Sequence, residues 1–200
     1  IDFQCGSSQQ AVHLAAAMVA SGQAELVIAG GTENMSRVPM GSSLGDGQPF
    51  TERMMDAYNL VPQGIASDEI AQQWGITRQE ADEIGYHSHM RAAKATQAGV
   101  LRREIVALDG VTEDGVRLHV EHDQGIRANA DLAKMGALQA AFTPDGVTTA
   151  GNSSQISDGS AGVIVTTAAK AQALGMKPRA RLVAATTIGS DPHLMITGPI

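Results

Sequence analysis

Apolar residues crowd toward the two ends of the 200-residue chain and are broken up by polar ones in between. Residues 11–20, AVHLAAAMVA, are apolar on every side of a helix except at His13, which predicts a helix buried in the centre of a fold. Ser7 and Ser8 stand where such a helix is capped, and Gly22 lies just past its end. Residues 25–29 form a short apolar run closed by Gly30-Gly31, which predicts a buried strand. A strand end, a turn, a buried helix and a buried strand in succession make half of a layered α/β unit.

The pattern then changes. Residues 36–67 are rich in Gly, Ser, Pro and Met without a sustained period and predict mostly loop, with a short helix at 51–58. A helix is expected over 68–74. Thr77-Arg78-Gln79-Glu80 has the form of a capping box, so a longer helix should start there and run to about Gln97, with Gly99 behind it. Asp82, Glu83, Arg91 and Lys94 interrupt its apolar positions and give it a wet face. Residues 105–108 and 116–120 alternate around Glu113-Asp114-Gly115 as a hairpin does, and a further helix is expected over 130–141. Buried character returns at Val147, with strands expected at 147–150, 162–167 and 180–188 and a helix at 168–174 ended by Gly175. No repeat of fixed period is present.

Composition narrows the function classes. Twenty-one acidic against fourteen basic residues give a net charge of −7, which disfavours non-specific nucleic-acid binding. The longest uncharged apolar run, residues 14–20, is too short to span a bilayer. One cysteine cannot form an intrachain disulfide, so nothing indicates an oxidising compartment and a cytoplasmic location is expected. The chain opens on Ile1-Asp2-Phe3-Gln4-Cys5 and stops at Thr197-Gly198-Pro199-Ile200; both ends read as cuts through structured protein, as in a fragment.

That single cysteine, Cys5, falls at the turn into the first helix. Unpaired amides and the helix dipole at such a place favour a thiolate over a thiol. The small neighbours Gly6, Ser7 and Ser8 would let a thioester carbonyl approach the sulfur and the backbone N–H groups together. Position alone leaves two readings open, a nucleophile or a small residue buried for packing.

The stretch from Cys5 to Pro39, CGSSQQAVHLAAAMVASGQAELVIAGGTENMSRVP, resembles the nucleophile segment of the thiolases, acyl-CoA acyltransferases that make or cleave 3-ketoacyl-CoA. Its Gly30-Gly31-Thr32-Glu33-Asn34-Met35-Ser36 is similar to the family's Gly-Gly-x-Glu-x-Met-Ser motif. Thr149-Ala150-Gly151-Asn152-Ser153-Ser154 through Asp158-Gly159 is similar to a second family block, and Asp191-Pro192 through Met195 to Gly198-Pro199 to a third. Three blocks in order cover essentially the whole chain.

The resemblance implies a thiolase-like layered αβαβα core, partial here, with an inserted α+β loop domain. Residues 1–35 would be part of the N-terminal core, 36–156 the loop domain covering CoA, 157–177 a return to the N-terminal core and 178–200 the start of the C-terminal core. It implies that Cys5 takes up the acyl group, that Arg127 meets the nucleotide end of CoA, and that Ala150, Gly151, Ser154 and Ile156 line the pantetheine. Met195 would touch the acyl or pantetheine end. CoA and acyl-CoA would be substrates, with no covalently bound cofactor and no metal. A homodimer or homotetramer is expected, with neither nucleic acid nor membrane as partner. Asn152, Asp158, Gly159 and Glu33 are expected to serve the structure, since a buried polar loop needs side chains to satisfy its backbone.

Two positions depart from the family. Pro62-Gln63 precedes Gly64 where short-chain biosynthetic members carry His-Met, which makes Gln63 a candidate acyl-site residue and points toward a degradative enzyme with a larger acyl group. Lys134 stands where many members have a Ser near the CoA adenine. The family's base His in Gly-His-Pro, its second Cys in Cys-x-Gly-Gly-Gly and its Asn-Glu-Ala-Phe segment have no match here, so the chain as it stands is expected not to turn over alone.

Other classes are weaker. His87-x-His89 and His119-x-x-His122-Asp123 could ligate a metal but fit solvated histidines better. Gly45-Asp46-Gly47 lacks the later glycine and the preceding strand of a phosphate loop. A CoA- or lipid-binding module without turnover would have no use for a helix-start cysteine. A ketoacyl synthase shares that cysteine, but the Gly-Gly-x-Glu-x-Met-Ser and Asn152 blocks fit thiolase better.

Overall fold

The computed structural model describes residues 1–200. In chain order the elements are a 3-10 turn at Gln4–Gly6, α1 (Ser7–Ala20), β1 (Leu26–Asn34), a 3-10 turn at Ser42–Leu44, α2 (Glu52–Ala57), α3 (Gln63–Trp74) and α4 (Arg78–Gln97). There follow β2 (Leu108–Val111), β3 (Arg117–Val120), α5 (Leu132–Gly136), β4 (Asp158–Thr166), α6 (Ala168–Ala173) and a 3-10 turn at Met195–Thr197.

They divide into two compact units. Unit one holds Ile1–Pro49 and Ile156–Ile188. Here β1 and β4 pair antiparallel from Leu26 opposite Thr166 to Asn34 opposite Asp158, and α1 lies against both. The strand runs on through Gly30-Gly31 instead of closing there. Both glycines allow close approach: a Cβ on Gly30 would sit 2.3 Å from the Ala161 carbonyl oxygen, and one on Gly31 would sit 2.0 Å from Ser8 Oγ of α1. Residues 36–49 belong to this unit, joined to β4 where Asp158 accepts from the Ser36 amide at 2.8 Å and its hydroxyl at 2.5 Å. These bonds, the hydroxyl first, hold the Asp158 carboxyl below its ordinary range. Glu33 is exposed, and Asn34 makes the local bonds instead, accepting from Ser36 Oγ and the Arg37 amide.

The burial expected of α1 is corrected. Ala15 and Val19 are buried, but Leu14 is 44% and Met18 41% exposed, because only one face of the helix has a sheet to lie on. The strand expected at 180–188 is absent for a related reason: no neighbouring strand pairs with it, and Val183 is 86% exposed.

Unit two holds Phe50–Gln155 and Gly189–Ile200. The capping box forms as expected, with the Glu80 amide donating to Thr77 Oγ1 at 3.2 Å and the Thr77 amide to Glu80 Oε2 at 2.8 Å. Thr51 likewise caps α2, accepting from the Met54 amide at 3.3 Å. The hairpin forms, β2 against β3, its first strand three residues later than the pattern suggests and its second starting one residue later. Thr112 closes its turn: its amide donates to the Val116 carbonyl, its hydroxyl accepts from the Val116 amide and its carbonyl accepts from the Gly115 amide. The helix expected over 130–141 is shortened to α5. Asp131 caps its start by accepting from the amides of Ala133 and Lys134, and the carbonyls of Met135 and Leu138 turn to the Arg78 guanidinium.

No strand forms at 147–150. The ladder is replaced by side chains: Asp68 Oδ1 accepts from the amides of Val147 (3.1 Å) and Thr148 (2.9 Å), and Asn152 Oδ1 from that of Thr149 (2.8 Å). Amides held by side chains in this way are not free to bond a neighbouring strand.

Candidate functional site

Cys5 is exposed in the 3-10 turn that leads into α1. Gln4, just before it, is the one non-glycine residue with positive φ (50°). Three side-chain bonds hold that turn. The Gln4 amide donates to Asp2 Oδ1 at 3.1 Å, and Ser7 Oγ both donates to the Gln4 carbonyl at 2.7 Å and accepts from the Phe3 amide at 2.8 Å. Ser7 thus serves as a brace on the backbone around Cys5 rather than as a cap: no side chain caps α1. The positive end of a fourteen-residue helix therefore faces the cysteine turn. Ile156, also in this unit, is 71% exposed ahead of β4.

The other candidates lie in unit two. Residues 147–155 form an irregular loop around a buried carboxylate. Asp68, 8% exposed, takes the two amides already named on Oδ1 and the Thr143 hydroxyl on Oδ2 at 2.7 Å. Burial pushes its carboxyl up, but the bonds from Thr148, Thr143 and Val147 outweigh this and leave it below the ordinary value of 3.8. Asn152 ties the loop further, donating from Nδ2 to the Val147 carbonyl at 2.8 Å and to Asp82 Oδ1 at 2.9 Å. On this support Ala150 and Ser154 are exposed, while Gly151 is half-buried with its amide donating to Thr149 Oγ1 at 3.1 Å.

Arg127 is exposed and its amide donates to His89 Nδ1 of α4 at 3.2 Å, while Gln155 Nε2 donates to the nearby Gly125 carbonyl at 2.6 Å. Lys134 is exposed on α5. The 125–127 turn, α5 and the 150–154 loop are therefore all anchored on α4 or on one another. Gln63 is the exposed first residue of α3, and Met195 is half-buried in the last 3-10 turn, which lies against the same helix. No group of three His, Cys, Asp or Glu side chains is placed to hold a metal ion. His119 pairs with Asp109, and His87 sets its ring edge-on to Tyr86.

His193 fastens the end of the chain to unit two. Its Nδ1 meets the Asn59 carbonyl at 2.5 Å and its Nε2 the Glu69 carboxylate of α3, beside a groove lined also by Gln72, Gln73 and Asp191. The Asn59 carbonyl first and the Glu69 carboxylate second raise its pKa above the ordinary 6.5. A raised histidine stabilises the folded segment fully below 6.5 and loses that contribution as pH rises through the raised value. Amide exchange in residues 189–200, corrected for intrinsic rate, is expected to accelerate across that rise, and His193→Gln to flatten the dependence. Equal slopes in both proteins would remove His193 from the anchor.

Asp68, Arg78, Asp82 and the His193–Glu69 pair are absent from the set the sequence suggested. Only Arg78 and Asp82 left a trace, the i, i+4 spacing of opposite charges at a helix start. The others act across 75 or more positions of sequence.

The helices and strands make an α/β protein, and the chain belongs to the thiolase family: residues 1–169 match the thiolase N-terminal domain. Its curated relatives include 3-ketoacyl-CoA thiolases of Hahella chejuensis, Escherichia fergusonii and Marinobacter nauticus, each 36% identical over 197 residues. These alignments cover 98% of this chain, which spans about half the length of each relative (50%). No helix is long and apolar enough to cross a membrane.

Proposed function

We propose that the protein is an acyl-CoA acyltransferase of the thiolase type, cleaving 3-ketoacyl-CoA with CoA, or condensing acyl-CoAs in reverse, through an acyl group carried on Cys5. The exposed Cys5 at the head of α1, in a chain of this family, is the observation that carries the reading. In the cleaving direction the Cys5 thiolate adds to the C3 carbonyl carbon and the C2–C3 bond breaks. Its electron pair passes to an acetyl-CoA enolate, which takes up a proton, and the acyl group stays on Sγ. The thiol of a second CoA, losing its proton, then displaces that acyl group and restores Cys5. Dividing the transfer into two steps lowers each barrier.

The complete protein would have the layered αβαβα core with an inserted loop domain. Arg127, Lys134, Ala150, Gly151, Ser154 and Ile156 would hold CoA, and Gln63 and Met195 would border the acyl group. An acidic protein needs local cations to hold an anionic substrate, which is the service of Arg127 and Lys134. CoA is a substrate here and not a resident cofactor. We assign the protein to the cytoplasm, as a homodimer or homotetramer acting on small acyl-CoA molecules.

Pro62-Gln63 in place of the His-Met pair favours acyl groups longer than acetoacetyl. Thiolysis rates of the full-length protein over a series of 3-ketoacyl-CoA chain lengths should therefore rise beyond the four-carbon substrate. A maximum at four carbons would overturn this specificity, and no thiolysis at any length would overturn the function.

A further inference from the structure

Two of the segments assigned to CoA, α5 with Lys134 and the loop with Ala150, Gly151 and Ser154, have little rigidity of their own. α5 is five residues long, well short of what an isolated helix needs, and the loop has no ladder bonds. Both take their position from the start of α4. Asp82, 3% exposed, accepts from Asn152 Nδ2 on one oxygen and from Arg78 Nε (2.8 Å) on the other. From the same guanidinium, Arg78 Nη2 reaches the carbonyls of Met135 (2.7 Å) and Leu138 (3.0 Å) at the end of α5. One turn on, Gly85 lets the helix close on both: a Cβ there would sit 2.8 Å from the Gly151 carbonyl oxygen and 3.2 Å from Met135 Cε.

Resting on the CoA assignment above, we infer that Arg78 and Asp82 are positioning residues for CoA, a charged clamp that fixes the spacing between the Lys134 helix and the 150–154 loop. Neither touches the ligand. The planar guanidinium is what makes the clamp possible, because it bonds a carboxylate along one edge and two carbonyls from another nitrogen. A lysine ammonium on its flexible stem cannot hold that geometry. The clamp acts on binding and leaves the thiol chemistry of Cys5 alone, so its loss has a kinetic signature that general unfolding lacks.

The test compares wild type, Arg78→Lys and Asp82→Asn in the full-length protein. Three quantities are read: the KM for CoA in thiolysis, the turnover at saturating CoA, and the alkylation rate of Cys5 by iodoacetamide. Arg78→Lys is expected to raise the KM for CoA about tenfold, the scale of one lost buried charged hydrogen bond, with turnover and alkylation within twofold of wild type. Asp82→Asn keeps the side-chain shape and should raise KM in the same direction, so the inference stays open to test even where the lysine variant folds poorly. An unchanged KM in the folded variants overturns it, and so does a fall in turnover and alkylation without a KM change. A wild-type protein that shows no CoA-dependent reaction contradicts the CoA assignment itself, an outcome visible before any variant is made.

Discussion

Replacing Cys5 by alanine is expected to lower thiolysis at least about a thousandfold while leaving the fold intact. The two halves of that expectation have separate grounds. The nucleophile is lost because alanine carries no group that can take up the acyl moiety, and the residues that follow it into α1, Gly6, Ser7 and Ser8, bring no other thiol there. Stability is spared because the Cys5 side chain is exposed and makes no hydrogen bond; changes at such sites usually stay within about 0.5 kcal/mol. Ser7 and Asp2, which brace the backbone around Gln4, remain in the variant. Turnover by the alanine variant and its urea midpoint, measured together, check both halves.

The second large effect falls on stability. Asp68→Ala is expected to destabilise unit two by about 3 kcal/mol, because the amides of Val147 and Thr148 and the Thr143 hydroxyl would lose their acceptor in a buried place. Asp68→Asn should cost less, about 1 kcal/mol, since an amide oxygen can keep one set of bonds and its NH2 can donate to Thr143. The pH dependence has a definite sign. The Asp68 carboxyl titrates below its ordinary 3.8 in the folded protein, so its contribution is whole above that value and is lost as pH falls through the lower folded-state one. Urea unfolding of wild type and Asp68→Asn should therefore differ at neutral pH and converge in strong acid. A gap that persisted there would mean that Asp68 is not the charged acceptor of the loop.

Local signals in the sequence carried over well. The Thr77–Glu80 box and Gly99 each act within one helical turn, and the helix they bound sits where the pattern places it. Cys5 was legible for the same reason, as a residue type at a helix start. What failed depended on partners distant in sequence. The apolar run at 147–150 reads as a strand, yet Asp68, some eighty positions earlier, claims the amides of Val147 and Thr148, and no strand forms. Residues 180–188 carry a strand's pattern without a strand to pair with. α1 was expected at the centre because it is apolar all round, and here only one side is covered. In the candidate site, the residues that would meet CoA came from a family resemblance, and those that hold them in place, Asp68, Arg78 and Asp82, came only from the structure. Acidic residues in a polar helix look like solvent-facing ones until the fold buries them.

Covalent acylation of Cys5 tests the central claim most directly. The full-length protein is incubated with acetyl-CoA and with a longer acyl-CoA, its intact mass is read before and after, and the adduct is located by peptide mapping. Acyl transfer through Cys5 predicts one acyl group per chain, on the peptide containing Cys5, and none on Cys5→Ala. Undiminished labelling of the alanine variant, or an adduct on another residue, would contradict it.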